Sequence, residues 1–314
     1  AGVIQLIFLI YISLKFYKPD INFNFKFTRK IKFFFKKLLP SIFSSGVTQI
    51  NILVGTIIAS FQPSAVSYLY YADRIYQINL AIAGIAVGTV SLPVLSKAFK
   101  VKNFSKVSKI QSKSIELSLL LSIPACFGLL IASDQIINGL FGYGSFTMEN
   151  VELTAEALKF FGLGLIAFAM VKILSNFYFA RDNTKTPFYI SSFIVTLNII
   201  ISLTFFNNIG FLIIPIATSI STWIGVLIYL YLLSKSNFLL LQNTLFNSVI
   251  KILISSIIMS LFLIFSLTKF AEYLNYEYMY KSIYLLIIVG FAGSIYLLSC
   301  FLFGLLKIKN YKTN

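Results

Sequence analysis

The sequence decides its fold most clearly in residues 188–233, which read FYISSFIVTLNIIISLTFFNNIGFLIIPIATSISTWIGVLIYLYLL. This stretch contains no charged residue, and basic residues stand a few positions outside both of its ends. A helix needs about 20 residues to cross the hydrocarbon core of a bilayer. The stretch is therefore long enough for two crossings, which we predict at Phe188–Phe206 and Phe211–Leu233 with a turn at Asn207-Asn208.

The same pattern recurs along the 314-residue chain, which contains eight apolar stretches long enough to cross a membrane. They cover approximately Ser41–Phe61, Ser67–Leu95, Ile115–Ala132, Ala157–Phe179, Phe188–Phe206, Phe211–Leu233, Phe246–Leu267 and Ser282–Leu306. Transmembrane β-strands alternate over about 10 residues, and these stretches are longer and uniformly apolar. A backbone inside lipid must also satisfy its own hydrogen bonds, which favours helices. With 58% hydrophobic and 11% charged residues, the sequence predicts an all-α polytopic membrane protein.

Positive charge is concentrated in alternate connections between these stretches, and the formal net charge is +16. Lys and Arg accumulate in short connections on the cytoplasmic side of a membrane. The basic connections and the C-terminus are therefore predicted to be cytoplasmic, with Lys269 and Lys281 as exceptions on the outer side. Because the basic residues follow the membrane topology, we expect no nucleic-acid partner.

Residues that carry metal or nucleophile chemistry are scarce. The chain has no histidine, and its two cysteines, Cys126 and Cys300, lie inside apolar stretches. It has no glycine-rich motif of the nucleotide-binding type and no cysteine spacing typical of a metal site. We therefore expect a protein that is not an enzyme and that needs neither a metal nor a cofactor.

The first residues run directly into apolar sequence after Ala1-Gly2, without the basic segment that opens a signal peptide. We interpret residues 1–17 as the end of a truncated transmembrane helix. The following residues, 18–39, are rich in Lys and predict a basic cytoplasmic linker. The chain is therefore interpreted as a fragment of a longer protein.

Two consecutive spans carry small and polar residues at alternating steps of three and four, which is the spacing of one helix face. The first face comprises Ser41, Ser44, Thr48, Asn51, Gly55 and Ala59, and the second comprises Ser67, Tyr70, Arg74, Gln77, Ala81, Gly84 and Gly88. Such a face can line a hydrated cavity. Small residues at this spacing can also allow close helix packing, and both interpretations stay open for most of these positions.

Two cations, Arg74 and Lys172, lie within the predicted spans and away from the first residues of those spans that follow a connection. Arg74 stands on a polar face, where an intramembrane arginine lines a water-filled cavity and binds an anion. The alternative is an interfacial arginine that extends to the headgroups. Asp73 is adjacent in sequence and points elsewhere on the helix, so it is a poor partner for Arg74. Lys172, for which extension toward the cytoplasm is an equal alternative, is predicted to share a face with Gly162, Ala169 and Asn176.

Five segments carry a resemblance to a known family. They are Pro40 with Gln49–Asn51 (QIN), Ser67–Arg74 (SYLYYADR), Gly84–Ser96 (GIAVGTVSLPVLS), Phe141–Thr147 (FGYGSFT) and Tyr178–Pro187 (YFARDNTKTP). In order and spacing they resemble the lipid II flippase family MurJ (MviN) of the MOP superfamily. The resemblance covers essentially the whole chain, and its most specific part is the Tyr-Tyr-Ala-Asp-Arg block that ends at Arg74.

The resemblance implies a fold of fourteen helices, arranged as two six-helix lobes and two extra helices. This chain would supply the end of helix six within residues 1–17 and the second six-helix lobe within residues 40–235. Residues 236–314 would supply the two additional C-terminal transmembrane helices and a short cytoplasmic tail. The N-terminal lobe would be missing. Many family members have Asp or Asn where this chain has Gly55.

The resemblance also implies a function in peptidoglycan synthesis. The family moves lipid II, an undecaprenyl-pyrophosphate-linked disaccharide-pentapeptide, from the inner to the outer leaflet of the bacterial cytoplasmic membrane by alternating access. Arg74, Ser67 and Asp73 match family positions implicated in substrate handling. The faces described above add Gln77, Asn51 and Lys172 as candidate substrate-binding residues. The expected partners are lipid II, membrane lipids and the missing lobe.

Other functions remain open. Another transporter of the same superfamily, either a polysaccharide-repeat flippase or a drug/cation antiporter, is the nearest alternative. An antiporter is expected to carry a buried carboxylate, and only Asp73 is a candidate. A non-transporting membrane scaffold for cell-wall enzymes is an alternative from a different class.

Overall fold

The computed structural model describes residues 2–17, 28–29, 31–32 and 49–306. The chain divides into two compact units, Ala1–Ile42 and Phe43–Asn314. In the first unit, α1 (Gly2–Phe16) is an apolar helix of 15 residues with every side chain exposed. Most of the predicted linker, and the first positions of the predicted polar face at Ser41, Ser44 and Thr48, lie outside the described residues.

Within residues 49–306 the second unit is helical. Its helices are α2 (Gln49–Ala59), α3 (Ala65–Lys100), α4 (Phe104–Phe141), α5 (Met148–Phe179), α6 (Lys185–Ile209), α7 (Ile213–Lys235), α8 (Thr244–Lys269) and α9 (Lys281–Leu302). The described residues contain no β-strand. The predicted all-α membrane fold is therefore confirmed, with six helices in a lobe, α2–α7, and two more at the C-terminal end.

Six segments of the described chain are long and apolar enough to cross a membrane. One of them, Lys185–Lys235, has 51 residues and would extend about 76 Å as a single helix, more than twice the thickness of the hydrocarbon core. It is divided into α6 and α7, which pack side by side, so the predicted pair of crossings is confirmed. The predicted turn is displaced, because the chain stays helical through Ile209 and reverses at Gly210, where φ is +74°.

Helix α5 lies at the centre of the lobe and is the most buried span. It packs against α3, α4 and α7. Small residues allow the close approach, because a Cβ added at Gly84 of α3 would lie 3.1 Å from the Cα of Ala169 in α5, and one added at Gly162 would lie 3.0 Å from Leu129 of α4. The centre of the lobe is therefore an interior of closely packed helices.

The hydrogen bonding of α3 changes at Ala81–Ala86, which form a π-helical segment. A π segment adds a residue to the local turn and rotates everything after it by about 100° relative to a regular helix. Gly84 and Gly88 are consequently buried, although a regular helix would place them on the exposed face of Arg74. The predicted seven-residue face is wrong beyond Ala81, and the packing alternative is correct for both glycines.

The C-terminal pair α8 and α9 packs against α4 and forms its own apolar cluster. In the middle of α9, the Tyr296 hydroxyl donates a hydrogen bond to the Leu120 carbonyl oxygen of α4 at 2.6 Å. At the end of α9, Lys251 Nζ of α8 donates to the Phe303 carbonyl oxygen at 2.8 Å. The Tyr296 bond attaches the pair to the lobe in addition to apolar packing, and the Lys251 bond joins α8 to the end of α9.

Lys281 begins α9 and is buried, with 1% of its surface exposed. Its ammonium donates hydrogen bonds to Asn138 Oδ1 at 3.0 Å and to the carbonyl oxygens of Gly142 and Tyr276, each at 2.6 Å. The ring of Tyr143 lies 4.3 Å from the same nitrogen. Lys281 therefore departs from the charge pattern of the loops because it is a structural cation that joins α9 to the end of α4.

The packing of α3 on α5 generates a stability prediction. Replacing Gly84 by Leu would force a side chain into the backbone of Ala169, and overpacking of this kind costs about 1–3 kcal/mol. Leu at the exposed Ala81 is the matched control and should change stability by less than about 0.5 kcal/mol. The free energy of unfolding, measured by denaturing-detergent titration in mixed micelles, checks both values. Equal losses for the two variants would contradict the inward rotation of Gly84.

Candidate functional site

The first half of α3 has one packed face and one exposed face. The packed face carries Tyr68, Tyr71, Ala72 and Tyr76, and the exposed face carries Ser67, Tyr70 and Arg74. Ser67, Tyr70 and Arg74, which the sequence predicts on one polar face, therefore lie together on a surface that the described helices of the lobe do not cover. This surface is the candidate site.

Aromatic residues fix the orientation of this helix. The Tyr68 hydroxyl donates to Asn150 Oδ1 of α5 at 2.9 Å. The Tyr76 ring stacks on Phe161 of α5 with 4.9 Å between centroids. The Tyr71 ring packs against Phe141 at the end of α4 at 4.7 Å. Because contacts to two neighbouring helices hold one face, the opposite face with Arg74 cannot rotate inward without breaking them.

The Arg74 side chain is exposed and lies beside an aromatic ring. The central carbon of its guanidinium lies 4.6 Å from the centroid of the Tyr70 ring, one turn earlier on the same face. Among the described residues, the ion pairs are Lys113–Glu116 and Lys159–Asp134, and neither involves Arg74. A guanidinium has five N–H donors, and a contact with a ring face leaves those donors free.

Asp73 and Gln77 form a local pair. The side-chain amide of Gln77 donates to a carboxylate oxygen of Asp73, and both residues are half-buried. They are four positions apart and so lie one above the other on the helix. Asp73 forms no ion pair with Arg74, although the two are adjacent in sequence. The structure therefore assigns Asp73 and Gln77 to each other and leaves Arg74 separate.

Asn51 is brought into a different cluster. Asn198 Nδ2 of α6 donates to Asn51 Oδ1 at 2.6 Å, and the hydroxyls of Ser202 and Thr218 each lie 3.4 Å from Asn198 Oδ1. This network joins α2, α6 and α7. Asn51 is half-buried within it, and its hydrogen bond is to α6 and not to the residues around Arg74.

Lys172 is exposed on α5, whereas the residues predicted to share its face are more buried. Gly162 and Ala169 are buried, and Asn176 Nδ2 donates to the Gly88 carbonyl oxygen of α3 at 2.9 Å. Lys172 and Asn176 are four positions apart on a regular helix and so lie on the same side of it. Lys172 therefore lies at the exposed edge of this face, while Ala169 and Asn176 meet α3.

Arg74 and Lys172 occupy different levels of the lobe. Helices α3 and α5 run parallel, since Tyr76 meets Phe161 near their beginnings and Gly88 meets Asn176 further along. In this alignment the level of Lys172 is about thirteen residues beyond the level of Arg74, which corresponds to about 20 Å along the helix axes. The two exposed cations therefore mark two depths of the span.

Sequence reasoning missed an ion pair at the level of Arg74. Lys159 Nζ of α5 lies 2.6 Å from Asp134 Oδ2 of α4, and both side chains are partly exposed. Because Lys159 and Asp134 are on different helices, the spacing of residues within one helix cannot predict that they pair. Within the described residues, no group of three or more His, Cys, Asp or Glu could hold a metal ion.

Comparison with solved structures defines the class of protein. The chain is similar to a lipid II flippase MurJ in an inward closed conformation, with a TM-score of 0.75 and 29% identity, over 96% of this chain and 60% of that chain. It is also similar to an outward-facing MATE multidrug transporter of the MOP superfamily, with a TM-score of 0.57 and 18% identity, over 83% of this chain and 60% of that chain. The chain therefore has the fold that these two membrane proteins share.

Sequence comparison identifies the family within this class. The family model described as "Lipid II flippase MurJ" matches residues 1–289. The "Probable lipid II flippase MurJ" of Rickettsia prowazekii (strain Madrid E) is 35% identical over 319 residues, 99% of this chain and 61% of the relative. That of Rhizobium tropici is 35% identical over 260 residues, 82% of this chain and 49% of the relative. The chain belongs to the lipid II flippase MurJ family, and it spans about half to three fifths of these relatives.

The Asn51–Asn198 hydrogen bond generates a prediction about the joining of α2 to α6. In a double-mutant cycle with Asn51→Val and Asn198→Val, we expect a coupling energy of about 0.6 kcal/mol and at most about 1.7 kcal/mol, the average and the maximum for interhelical hydrogen bonds in membranes. The free energy of unfolding is measured in mixed micelles for the wild-type protein, the two single variants and the double variant. A coupling energy of zero would show that the two side chains do not bind each other.

Proposed function

We propose that this chain is the C-terminal part of a lipid II flippase, in which Arg74 binds the diphosphate of the lipid-linked precursor. Membership of the MurJ family supports the substrate class. The observation that carries the proposal is the exposed Arg74 guanidinium, which has no ion pair among the described residues and stands on a face that the lobe leaves uncovered.

The chemistry of the headgroup suits this residue. A diphosphate presents several anionic oxygens, and a guanidinium binds paired oxygens with two parallel N–H bonds. Binding needs a hydrated pocket, because an arginine facing lipid alone would be costly. Ser67 and Tyr70, on the same exposed face, add a hydroxyl donor and an aromatic surface next to the guanidinium.

The remaining candidate residues take secondary roles in this proposal. Asp73 and Gln77 hold each other on the side of α3 next to Arg74 and so position that turn of the helix. Lys172 is a second contact for the anionic headgroup, about 20 Å further along the span. Asn51 acts through Asn198, by holding α2 at the edge of the site.

The complete protein would work by alternating access between this lobe and a preceding one. No covalent bond is made or broken in that process, so the chain acts as a transporter and not as an enzyme. We place it in the bacterial cytoplasmic membrane with a cytoplasmic C-terminus, because the basic connections then lie on the cytoplasmic side.

A second candidate function is cation antiport. The half-buried carboxylate of Asp73 has no Lys or Arg ion pair among the described residues, and transporters with the MATE name share the fold. In that function the cation would bind Asp73 and the Gln77 amide oxygen. Lipid II flipping would depend on the positive charge of Arg74, and cation antiport would depend on the negative charge of Asp73. Mutation of each residue therefore distinguishes the two functions.

We expect Arg74→Ala to lower lipid II translocation by about 10–100-fold, the effect of losing charge-assisted hydrogen bonds worth about 1.5–3 kcal/mol. The full-length protein carrying this sequence would be reconstituted in proteoliposomes, and the arrival of labelled lipid II in the other leaflet would be measured. Lys100→Ala, an exposed cation at the end of α3, is the control and should retain the wild-type rate.

Two results would reject the proposal. Wild-type translocation by an Arg74→Ala protein that inserts normally would remove the diphosphate role of Arg74. Loss of a proton- or sodium-driven substrate flux in Asp73→Asn, together with no lipid II movement in any variant, would favour the antiporter.

A further inference from the structure

A second feature of the lobe is an open, basic cavity at the beginning of α4, which contains none of the residues of the candidate site. Its volume is about 580 Å³, and it is lined by Asn103, Ser105, Lys106, Lys109, Ile110, Lys113 and Gln242. An apolar cavity of about 490 Å³ adjoins it and is lined by Leu241, Gln242, Asn243, Leu245, Phe246 and Val249. Gln242 lines both cavities, so they are neighbours, and the two together are called the groove, with a basic half and an apolar half.

Buried polar side chains of α4 preform the groove. Gln111 is fully buried, and its amide donates to the Phe238 carbonyl oxygen at 3.0 Å and accepts from the Leu240 backbone N–H at 2.8 Å. The next residue, Ser112, accepts from the Gln242 backbone N–H at 2.8 Å. The connection between α7 and α8 is therefore fixed along α4 by three hydrogen bonds, and Gln242 is held between the two halves.

A stacked arginine supports the same connection from its other side. The guanidinium carbon of Arg181 lies 3.4 Å from the ring centroid of Phe238 and 4.2 Å from that of Phe99. Phe238 is thus held by Gln111 through its backbone and by Arg181 through its ring. The shape of the groove is a property of the folded lobe.

The basic half carries uncompensated charge. Lys113 pairs with Glu116 at 2.7 Å, whereas Lys106 and Lys109 have no ion pair among the described residues. None of the residues lining either cavity is acidic. The site therefore favours an anion, and the beginning of a helix adds a positive electrostatic contribution.

The groove lies where a membrane surface meets the hydrocarbon core. Helix α4 has 38 residues, about 57 Å of helix against about 30 Å of hydrocarbon, so its first turns extend beyond the membrane. The apolar half belongs to the first turns of α8, whose 26 residues form a membrane span. Phe246 is 71% exposed there. A ligand with a charged head and an apolar tail matches this arrangement.

We propose that this groove binds an anionic phospholipid, with the phosphate on Lys106 and Lys109 and an acyl chain along Phe246 and Val249. A soluble phosphate would use only the basic half and would leave the apolar half unexplained. A neutral phospholipid would leave the two lysines without a counter-charge. This site is independent of the proposed transport function, because it shares none of the residues assigned to substrate.

The test compares phosphatidylglycerol with phosphatidylcholine of identical acyl chains. The full-length protein would be equilibrated with both lipids in detergent, and bound lipid would be counted by native mass spectrometry. A lysine near an anionic lipid contributes a factor of about five in binding, so we expect at least a fivefold preference for phosphatidylglycerol. Lys106→Gln/Lys109→Gln should reduce the preference to less than about twofold.

A matched double variant separates the site from general basicity. Lys97→Gln/Lys100→Gln removes two exposed cations from the end of α3, outside the groove, and should retain the preference. Equal loss in the two double variants would overturn the proposal in favour of a diffuse basic surface. Absence of any preference in the wild-type protein would overturn it as well.

A separate variant tests the contact between the apolar half of the groove and the acyl chain. Phe246→Ser should lower retention of both phospholipids by a similar factor while leaving their ratio unchanged, because it removes acyl-chain contact and no charge. In a competition arm, excess glycerol 3-phosphate should fail to displace phosphatidylglycerol. Complete displacement would identify a site for a free phosphate and would overturn the lipid assignment.

Discussion

Close contact between α3 and α5 determines which face of α3 remains available to anything outside the lobe. Gly84 lies against Ala169, and Asn176 donates its amide proton to the Gly88 carbonyl oxygen. Gly84 lies within the π segment at Ala81–Ala86 and Gly88 follows it, and both glycines are buried. With that side of the helix fixed, Arg74 stays on the exposed side, and the candidate site depends on this orientation.

The cations of the described helices have three different kinds of surroundings. Lys281 is buried and satisfied by three oxygen acceptors and neighbouring aromatic rings. Lys159 is paired with Asp134 across two helices. Arg74 lies over the ring face of Tyr70 and has no ion pair among the described residues. An uncompensated charge at membrane depth is costly unless water or an anion reaches it, and the proposed diphosphate would supply Arg74 with such a partner.

The sequence alone predicted the features of the fold that are set by the lipid surroundings, which are the length and apolar character of the helices. The apolar length of residues 188–233, and its freedom from charge, correctly indicated two crossings. The sequence could not place the reversal of the chain at Gly210, because asparagine is common in turns as glycine is. Asn207 and Asn208 nevertheless remain helical here. The family resemblance, carried by the block that ends at Arg74, was confirmed by the comparisons.

The candidate site was less predictable, because its geometry depends on contacts between helices. A periodicity of 3.6 residues assumed a regular helix, and the π segment of α3 changed the register after Ala81. The bond from Asn198 to Asn51 and the burial of Lys281 join residues more than a hundred positions apart. Spacing along the chain carries no signal for such pairs, and only the packed lobe brings them together.

Cysteine accessibility at Arg74 measures directly whether this face meets water. Arg74→Cys in the full-length protein would be treated with a charged, membrane-impermeant thiol reagent and, separately, with a lipophilic one. Cys126 and Cys300 are buried and should contribute little background, and Ala72→Cys, a buried position two residues away on the opposite face of α3, is the control. We expect the charged reagent to modify Arg74→Cys and to leave Ala72→Cys intact. Modification of Arg74→Cys by the lipophilic reagent alone would mean that this face is turned toward the acyl chains.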